Sequence, residues 1–253
     1  MSYERVKANL NMYAVLQNLE ELVRCDPAMA ALSKNWRLSI EFIVAGGPRA
    51  CLAFADGQCT FHRGKAVPGK VKLFFISCAH FNKMMDGKAN PIPVKGVSRL
   101  PFLTKEFSRL TDALEYYLKP TAARLQDPEY LALNTRMTLN TAVFAAKEIA
   151  ELDKTGTLAA AHIRDGAVLL KILPDGPAAH LLVKDRKIFP GKNECDAPMA
   201  CMYLKDMQVA NAFLNNKMDP FSAIAAGEVI IRGQTPMLDA LSLVLDRIPV
   251  YLT

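Results

Sequence analysis

Residues 47–91 of this chain return, without a gap, 129 positions further on. A repeat of that kind limits the fold to something that can be built twice from one supersecondary unit. Gly47-Pro48-x-Ala50 comes back as Gly176-Pro177-x-Ala179, Asp56 as Asp185, Asn82 as Asn211, Lys88 as Lys217 and Pro91 as Pro220. Identities are few, yet one spacing holds through about 45 residues, which points to duplication of a module. The expected organisation is two modules, residues 1–122 and 123–253.

The equivalences read as backbone chemistry. Ser77 and Asp206 each precede an apolar run and can accept from an unpaired N–H at a helix start. Gly87 and Asn216, which tolerate the left-handed conformation that ends a helix, stand about nine residues later. Asn90-Pro91 and Asp219-Pro220 then predict the same turn. Apolar positions at helical spacing predict an opening helix over Glu4 to Arg24 and another over Leu133 to Leu152. Asp26-Pro27 and Asp127-Pro128 are cap-plus-proline signals, read here as starts of short helices.

Strand faces follow from charge. In Lys70 to Phe75 the lysines are expected in water, so Val71, Leu73 and Phe75 point inward, and by the repeat so do Ala200, Met202 and Leu204. His180 and Lys184 mark an outer face, leaving Leu181 and Val183 inward, with Leu52 and Phe54 as their counterparts. The preceding strand does not transfer, because Glu41 falls opposite Leu170; a bulge or an indel is expected there. Tyr117-Leu118 matches Tyr251-Leu252 only at a spacing of 134, which gives the second copy five extra residues around Pro220 to Gly227. Trp36 is expected to pack where the chain enters the first sheet.

Composition excludes several classes. Hydrophobic residues make up 51% of the chain and charged ones 22%, so a disordered or tail-dominated protein is excluded. Met1 to Lys7 lacks the apolar core of a secretory signal and no segment is long and apolar enough to span a bilayer, so the expected location is cytoplasmic. The six cysteines form no C-x-x-C pair and the four histidines are scattered, so neither a metal nor any other cofactor is expected. No G-x-S-x-G, Gly-rich phosphate loop or H-E-x-x-H occurs, and His80 and Asp86 lie six apart on one short helix; the chain is read as non-enzymatic. Asn82 and Asn211 are expected to hydrogen-bond within the packed module.

Charge is unevenly shared. Lys and Arg outnumber Asp and Glu by 17 to 10 in residues 1–120, against 14 to 15 in the remainder. Arg63, Lys65, Lys70 and Lys72 are the densest cations, a candidate contact for an anionic membrane or acidic partner. Nucleic acid is not expected, since no aromatic residues interleave with them.

The second copy resembles a sterol carrier protein type 2 domain. The resemblance rests on Asp175-Gly176-Pro177-Ala178-Ala179, Leu181 to Asp185, and Asn216-Lys217-Met218-Asp219-Pro220-Phe221-Ser222-Ala223-Ile224 followed by Gly227 to Gly233. It spans most of residues 133–253, and the first copy joins it only through the repeat. The resemblance implies an α+β fold: two tandem modules, each a largely antiparallel five-stranded sheet covered by helices on one face. It also implies an apolar tunnel for a sterol, fatty acid, fatty acyl-CoA or similar lipid. Leu181, Val183, Met202, Leu204, Phe213, Leu214, Phe221, Ile224, Val229, Ile231, Met237 and Leu241 are the candidate lining; an ordinary closed core is the alternative for the same residues. The rival functions are a tandem-module scaffold or an accessory subunit of a lipid-metabolising enzyme, and after these an enzyme acting on an apolar substrate.

Overall fold

A computed structural model describes residues 2–64 and 69–252. The chain divides into two compact units, Ser2–Lys119 and Pro120 onward.

The first unit opens with α1 (Tyr3–Leu10), a π-helical turn (Asn11–Val15) and α2 (Asn18–Cys25). Asp26 then caps α3 (Pro27–Ser33), accepting from Ala28 and Met29 N–H. β1 (Leu38–Val44), β2 (Arg49–Ala55), β3 (Gln58–Arg63) and β4 (Val71–Phe75) follow, then α4 (Cys78–Met85), β5 (Ile92–Lys95), the short α5 (Leu100–Phe102) and α6 (Ser108–Leu118). The second unit runs α7 (Pro128–Leu152), α8 (Lys154–Ala160), β6 (Gly166–Ile172), β7 (Ala178–Lys184), β8 (Lys187–Lys192), β9 (Ala200–Leu204), α9 (Met207–Leu214), α10 (Pro220–Ala225), β10 (Val229–Gly233) and α11 (Thr235–Leu245). Asp127-Pro128 opens the 25-residue α7 and not the short helix expected of it, because the apolar periodicity begins at once behind the proline.

Each unit is an α+β fold around a five-stranded sheet, in the orders β3-β2-β1-β4-β5 and β8-β7-β6-β9-β10. Every pairing is antiparallel except β1 with β4 and β6 with β9. Two-residue turns close the outer hairpins, Asp56-Gly57 and Asp185-Arg186, all four residues having positive φ as a type I′ turn demands. Ser77 accepts from His80 N–H and Asp206 from Val209 N–H. Gly87 (φ 71°) and Asn216 (φ 53°) end α4 and α9 in the left-handed region.

Register locates the missing residue. Phe42 pairs with Ala50 and Leu170 with Ala179, so the first strands are related by 128 positions, one fewer than the strands that follow. Ala45-Gly46-Gly47 in one turn answers Leu173-Pro174-Asp175-Gly176 in the other, and the counterpart of Glu41 is therefore Leu169. The indel sits in a turn, where an extra residue costs no ladder hydrogen bond.

Ile40, Phe42, Leu52, Phe54, Val71, Leu73 and Phe75 form the buried inner face of the first sheet. α1 packs on α4, and α2 on β3 and α6. Trp36 is buried edge-on against Phe54 at 5.1 Å and Phe102 at 4.8 Å. In the second unit α7 packs on α9, β7 and β8, α11 on α7, α8 and β9, and α10 on β10.

The face of the first sheet away from Phe42 and Leu52 differs from expectation. Glu41, Ser39 and Cys51 are buried on it. Arg49 Nε donates to Glu41 at 2.7 Å, and Lys72 lies 3.4 Å from the same carboxylate instead of facing open water. Burial, together with the charge of Glu41, pushes the Cys51 thiol up to about 11, so it stays protonated at neutral pH.

Candidate functional site

The inner face of the second sheet is apolar throughout, and its depth varies by rung. Leu204 pairs with Val229, and both are buried; Ala200 is buried too, but its partner Gly233 is exposed. Between them Met202 pairs with Ile231, and both are only half-buried. The helical cover is therefore complete over the Leu204–Val229 rung and incomplete from Met202–Ile231 towards the Gly233 end of β10. α10 packs on β10 and α11 on β9.

The twelve expected lining residues separate into three depths. Leu181, Val183, Leu204, Val229, Met237 and Leu241 are each at most 4% exposed and belong to the packed interior. Met202, Phe213, Leu214 and Ile231 are half-buried. Phe221 is 82% exposed and Ile224 40% exposed, so neither lies in an enclosed lining. Helix geometry explains this: Ala223 is the α10 residue that turns inward, at 2% exposure, and a side chain two positions earlier points about 200° away from it.

A separate groove of about 440 Å³ lies between α8 and α11, lined by Thr155, Leu158, Ala159, His162, Leu243, Asp246 and Arg247. It is open, contains none of the twelve residues, and its one guanidinium is already committed. Asp153 caps α8 by accepting from Gly156 N–H at 2.7 Å, receives Arg247 Nε at 3.1 Å, and accepts from the Tyr251 hydroxyl at 2.7 Å. Burial acts to raise the Asp153 carboxyl, but the hydrogen bonds from Arg247, Tyr251 and the Gly156 N–H outweigh it and hold the group below its ordinary value. Burial and the same carboxylate keep the Tyr251 phenol above its own.

The first unit has the corresponding contact. Tyr117 donates to Asp26, the cap of α3, at 2.9 Å. Sequence reasoning paired the two tyrosines and read Asp26 as a helix cap, but joined neither tyrosine to its aspartate.

The repeated asparagines are buried ties between helices. Asn82 donates to the Glu4 carbonyl and receives Asn11 Nδ2, joining α4 to the opening helical segment. Asn211 donates to Asn134 and Thr135, joining α9 to α7. His80 contacts the Asn90 carbonyl and accepts from Ile76 N–H, while Asp86 faces Lys7 at 3.4 Å, so these two are not an acid–base pair. All six cysteines are free thiols.

In the expected basic cluster Arg63 and Lys70 are exposed, and each described member has a contact within its own unit. Arg63 lies over the Tyr13 ring at 3.7 Å, Lys70 donates to the Arg37 carbonyl, and Lys72 pairs with Glu41. Lys65 lies outside the described residues. Among the described residues no helix is long and apolar enough to cross a membrane, and no group of three His, Cys, Asp or Glu side chains is arranged to hold a metal ion.

No family model matches the chain, and no curated protein matches it in sequence. Among solved structures, a crystal structure of sterol carrier protein 2 aligns with 42% of this chain and 91% of its own, at 17% identity and a TM-score of 0.34. The solution structure of sterol carrier protein domain 2 of Helicoverpa armigera covers 44% of this chain and 87% of its own, at 16% identity and TM-score 0.34. The ubiquinone synthesis protein UbiJ, of sterol carrier type, covers 46% and 90%, at 10% identity and TM-score 0.31.

Proposed function

We propose that this chain binds and carries an apolar ligand, a sterol, fatty acid, fatty acyl-CoA or similar lipid, and performs no chemistry on it. Its two units are read as diverged copies of one sterol-carrier-like module, with the ligand held in the second. The observation that carries the reading is the half-buried Met202–Ile231 rung beside the buried Leu204–Val229 rung, next to an α10 whose Phe221 and Ile224 stand out in water. Apolar groups left incompletely covered beside a buried apolar interior favour an apolar guest. Each CH₂ removed from water contributes about 0.8 kcal/mol, so a dozen methylenes supply roughly 10 kcal/mol before the ordering cost of binding. Methionine suits such a wall, since it repacks around guests of different shape.

Lipid extraction of the purified full chain, read by mass spectrometry, should yield a co-purifying apolar molecule, and a fluorescent fatty acid should bind saturably. Met202→Trp fills the open rung and should weaken binding by at least about tenfold, the worth of one or two buried methylenes. If acyl chains, acyl-CoA and sterols all fail to bind, the scaffold or accessory-subunit reading takes its place. Unchanged binding in Met202→Trp would move the site away from this rung.

A further inference from the structure

The basic excess of the first unit has a second location. From Gly87 to Lys105 the chain carries Lys88, Lys95, Arg99 and Lys105 and no Asp or Glu. All four are exposed, and among the described residues none of these side chains is in an ion pair. Lys95 stands opposite Lys72 in the β4–β5 ladder, and Lys72 is held by Glu41 at 3.4 Å, which leaves Lys95 unbalanced. Between the cations stand Ile92, Val94, Val97 and Leu100, exposed by 42%, 55%, 55% and 36%. β5, a 3-10 turn at Val97–Arg99 and α5 carry them as one continuous stretch at the sheet edge. Aliphatic groups in water and like charges kept close are both unfavourable, so a surface combining them suits a partner that is apolar and anionic at once.

Three kinds of partner can be weighed by chemistry. Addition of a strand to β5 is opposed by Pro93, which lacks an N–H, and by Lys95. A nucleic acid would answer the charge, but the interleaved side chains are aliphatic, and bases stack on rings. A bilayer with acidic headgroups answers both, offering phosphates to Lys and Arg and the acyl boundary to Ile, Val and Leu. We infer that residues 88–105 are a docking surface for an anionic lipid bilayer. Lys88, Lys95, Arg99 and Lys105 lie at headgroup level, and the four aliphatic side chains enter the boundary beneath. The inference does not depend on what the second unit binds.

The test is flotation of the full chain with vesicles of phosphatidylcholine alone and of phosphatidylcholine mixed with phosphatidylserine. The chain should float with the mixed vesicles at low salt. K88Q/K95Q/R99Q/K105Q should weaken that association by about 10-fold or more, as should high salt. I92S/V97S should weaken it while leaving its salt dependence in place. All eight side chains are exposed, so each variant should keep the wild-type urea midpoint, which is measured alongside. Neutralising Lys184, Arg186 and Lys187, exposed in the second unit, should change nothing. Equal binding to both vesicle types, an unaffected quadruple variant, an equal loss from the second-unit control, or tighter binding to polyuridylate would each overturn the inference.

Discussion

In the first unit Trp36 lies against Phe54 and Phe102, and Phe54 lies 6.4 Å from Phe107, so four aromatic side chains fill the space between sheet and helices. In the second unit Val183 stands where the 129-residue spacing puts the counterpart of Phe54. Leu241 stands where the spacing that joins Tyr117 to Tyr251 puts that of Phe107. Leu73 is 4% exposed, whereas its counterpart Met202 is half-buried. A shared strand order is thus compatible with two interiors: one closed by its own rings, the other built of smaller aliphatic groups with one rung uncovered. Aromatic side chains bury up to about 250 Å² each, so the second interior, with Val and Leu at two of these positions, is packed from smaller groups.

The opposite sheet faces differ in the other direction. Glu41 is buried with Arg49 and Lys72, while its counterpart Leu169 is 4% exposed beside His180 and Cys201. Exchanging the two residues should break the symmetry most visibly. Leu169→Glu puts a carboxylate into an apolar place with no Lys or Arg paired to it and should cost at least about 4 kcal/mol. Glu41→Leu should change stability by only about 1 kcal/mol, because the side chains of Arg49 and Lys72, 34% and 29% exposed, can turn to water. Urea midpoints measure both. A mild Leu169→Glu beside a severe Glu41→Leu would mean that the charged cluster is the essential core.

The aspartate–tyrosine ties rank next. Asp153 is 5% exposed and serves a helix cap, an arginine and a tyrosine, so Asp153→Ala should cost about 3 kcal/mol. Asp26 is partly exposed and has no arginine, so Asp26→Ala should cost about 1–2 kcal/mol. Asp153→Ala should also change the acid limb of stability. The folded Asp153 carboxyl lies below its ordinary 3.8, so its contribution is complete above that value and is lost as pH falls through the folded one. Asp153→Asn should flatten that part of the profile, and an unchanged acid limb would show that the carboxylate is not ionised in the folded protein.

Whatever depended on a few adjacent residues was legible in the sequence. Ser77 and Asp206 cap, and Gly87 and Asn216 stop, because those positions are decided by one side-chain oxygen or one φ angle. Inward strand faces followed from alternation once charged residues marked the outer face. Contacts across distance were not legible. Glu41 reads as a solvated charge until the hairpin brings Arg49 beside it, and Tyr251 meets Asp153 only after 98 residues of chain. Arg63, Lys70 and Lys72 read as a basic patch, and the contacts they make with the Tyr13 ring, the Arg37 carbonyl and Glu41 were not legible in it. Phe221 reads as lining because it belongs to a motif, but its direction is fixed by Ala223, which a six-residue helix turns inward.

The smallest expected effect lies in the outer hairpin turns, where the units differ by one residue type. Gly57 has φ 75° and Arg186 φ 60°, in the same second position of a two-residue turn with positive φ throughout. A side chain other than Gly, Asn or Asp held there costs about 1–2 kcal/mol, part of which Gly gives back through the greater freedom of its unfolded chain. Arg186→Gly should therefore stabilise by about 0.5–1 kcal/mol, and Gly57→Arg should destabilise by a similar amount, both read from the urea midpoint. Arg186 is exposed, so loss of its packing does not confuse the measurement. Should Arg186→Gly destabilise, the guanidinium must make an interaction that outweighs the strain of its backbone, and the two hairpins would then differ in function as well as in residue.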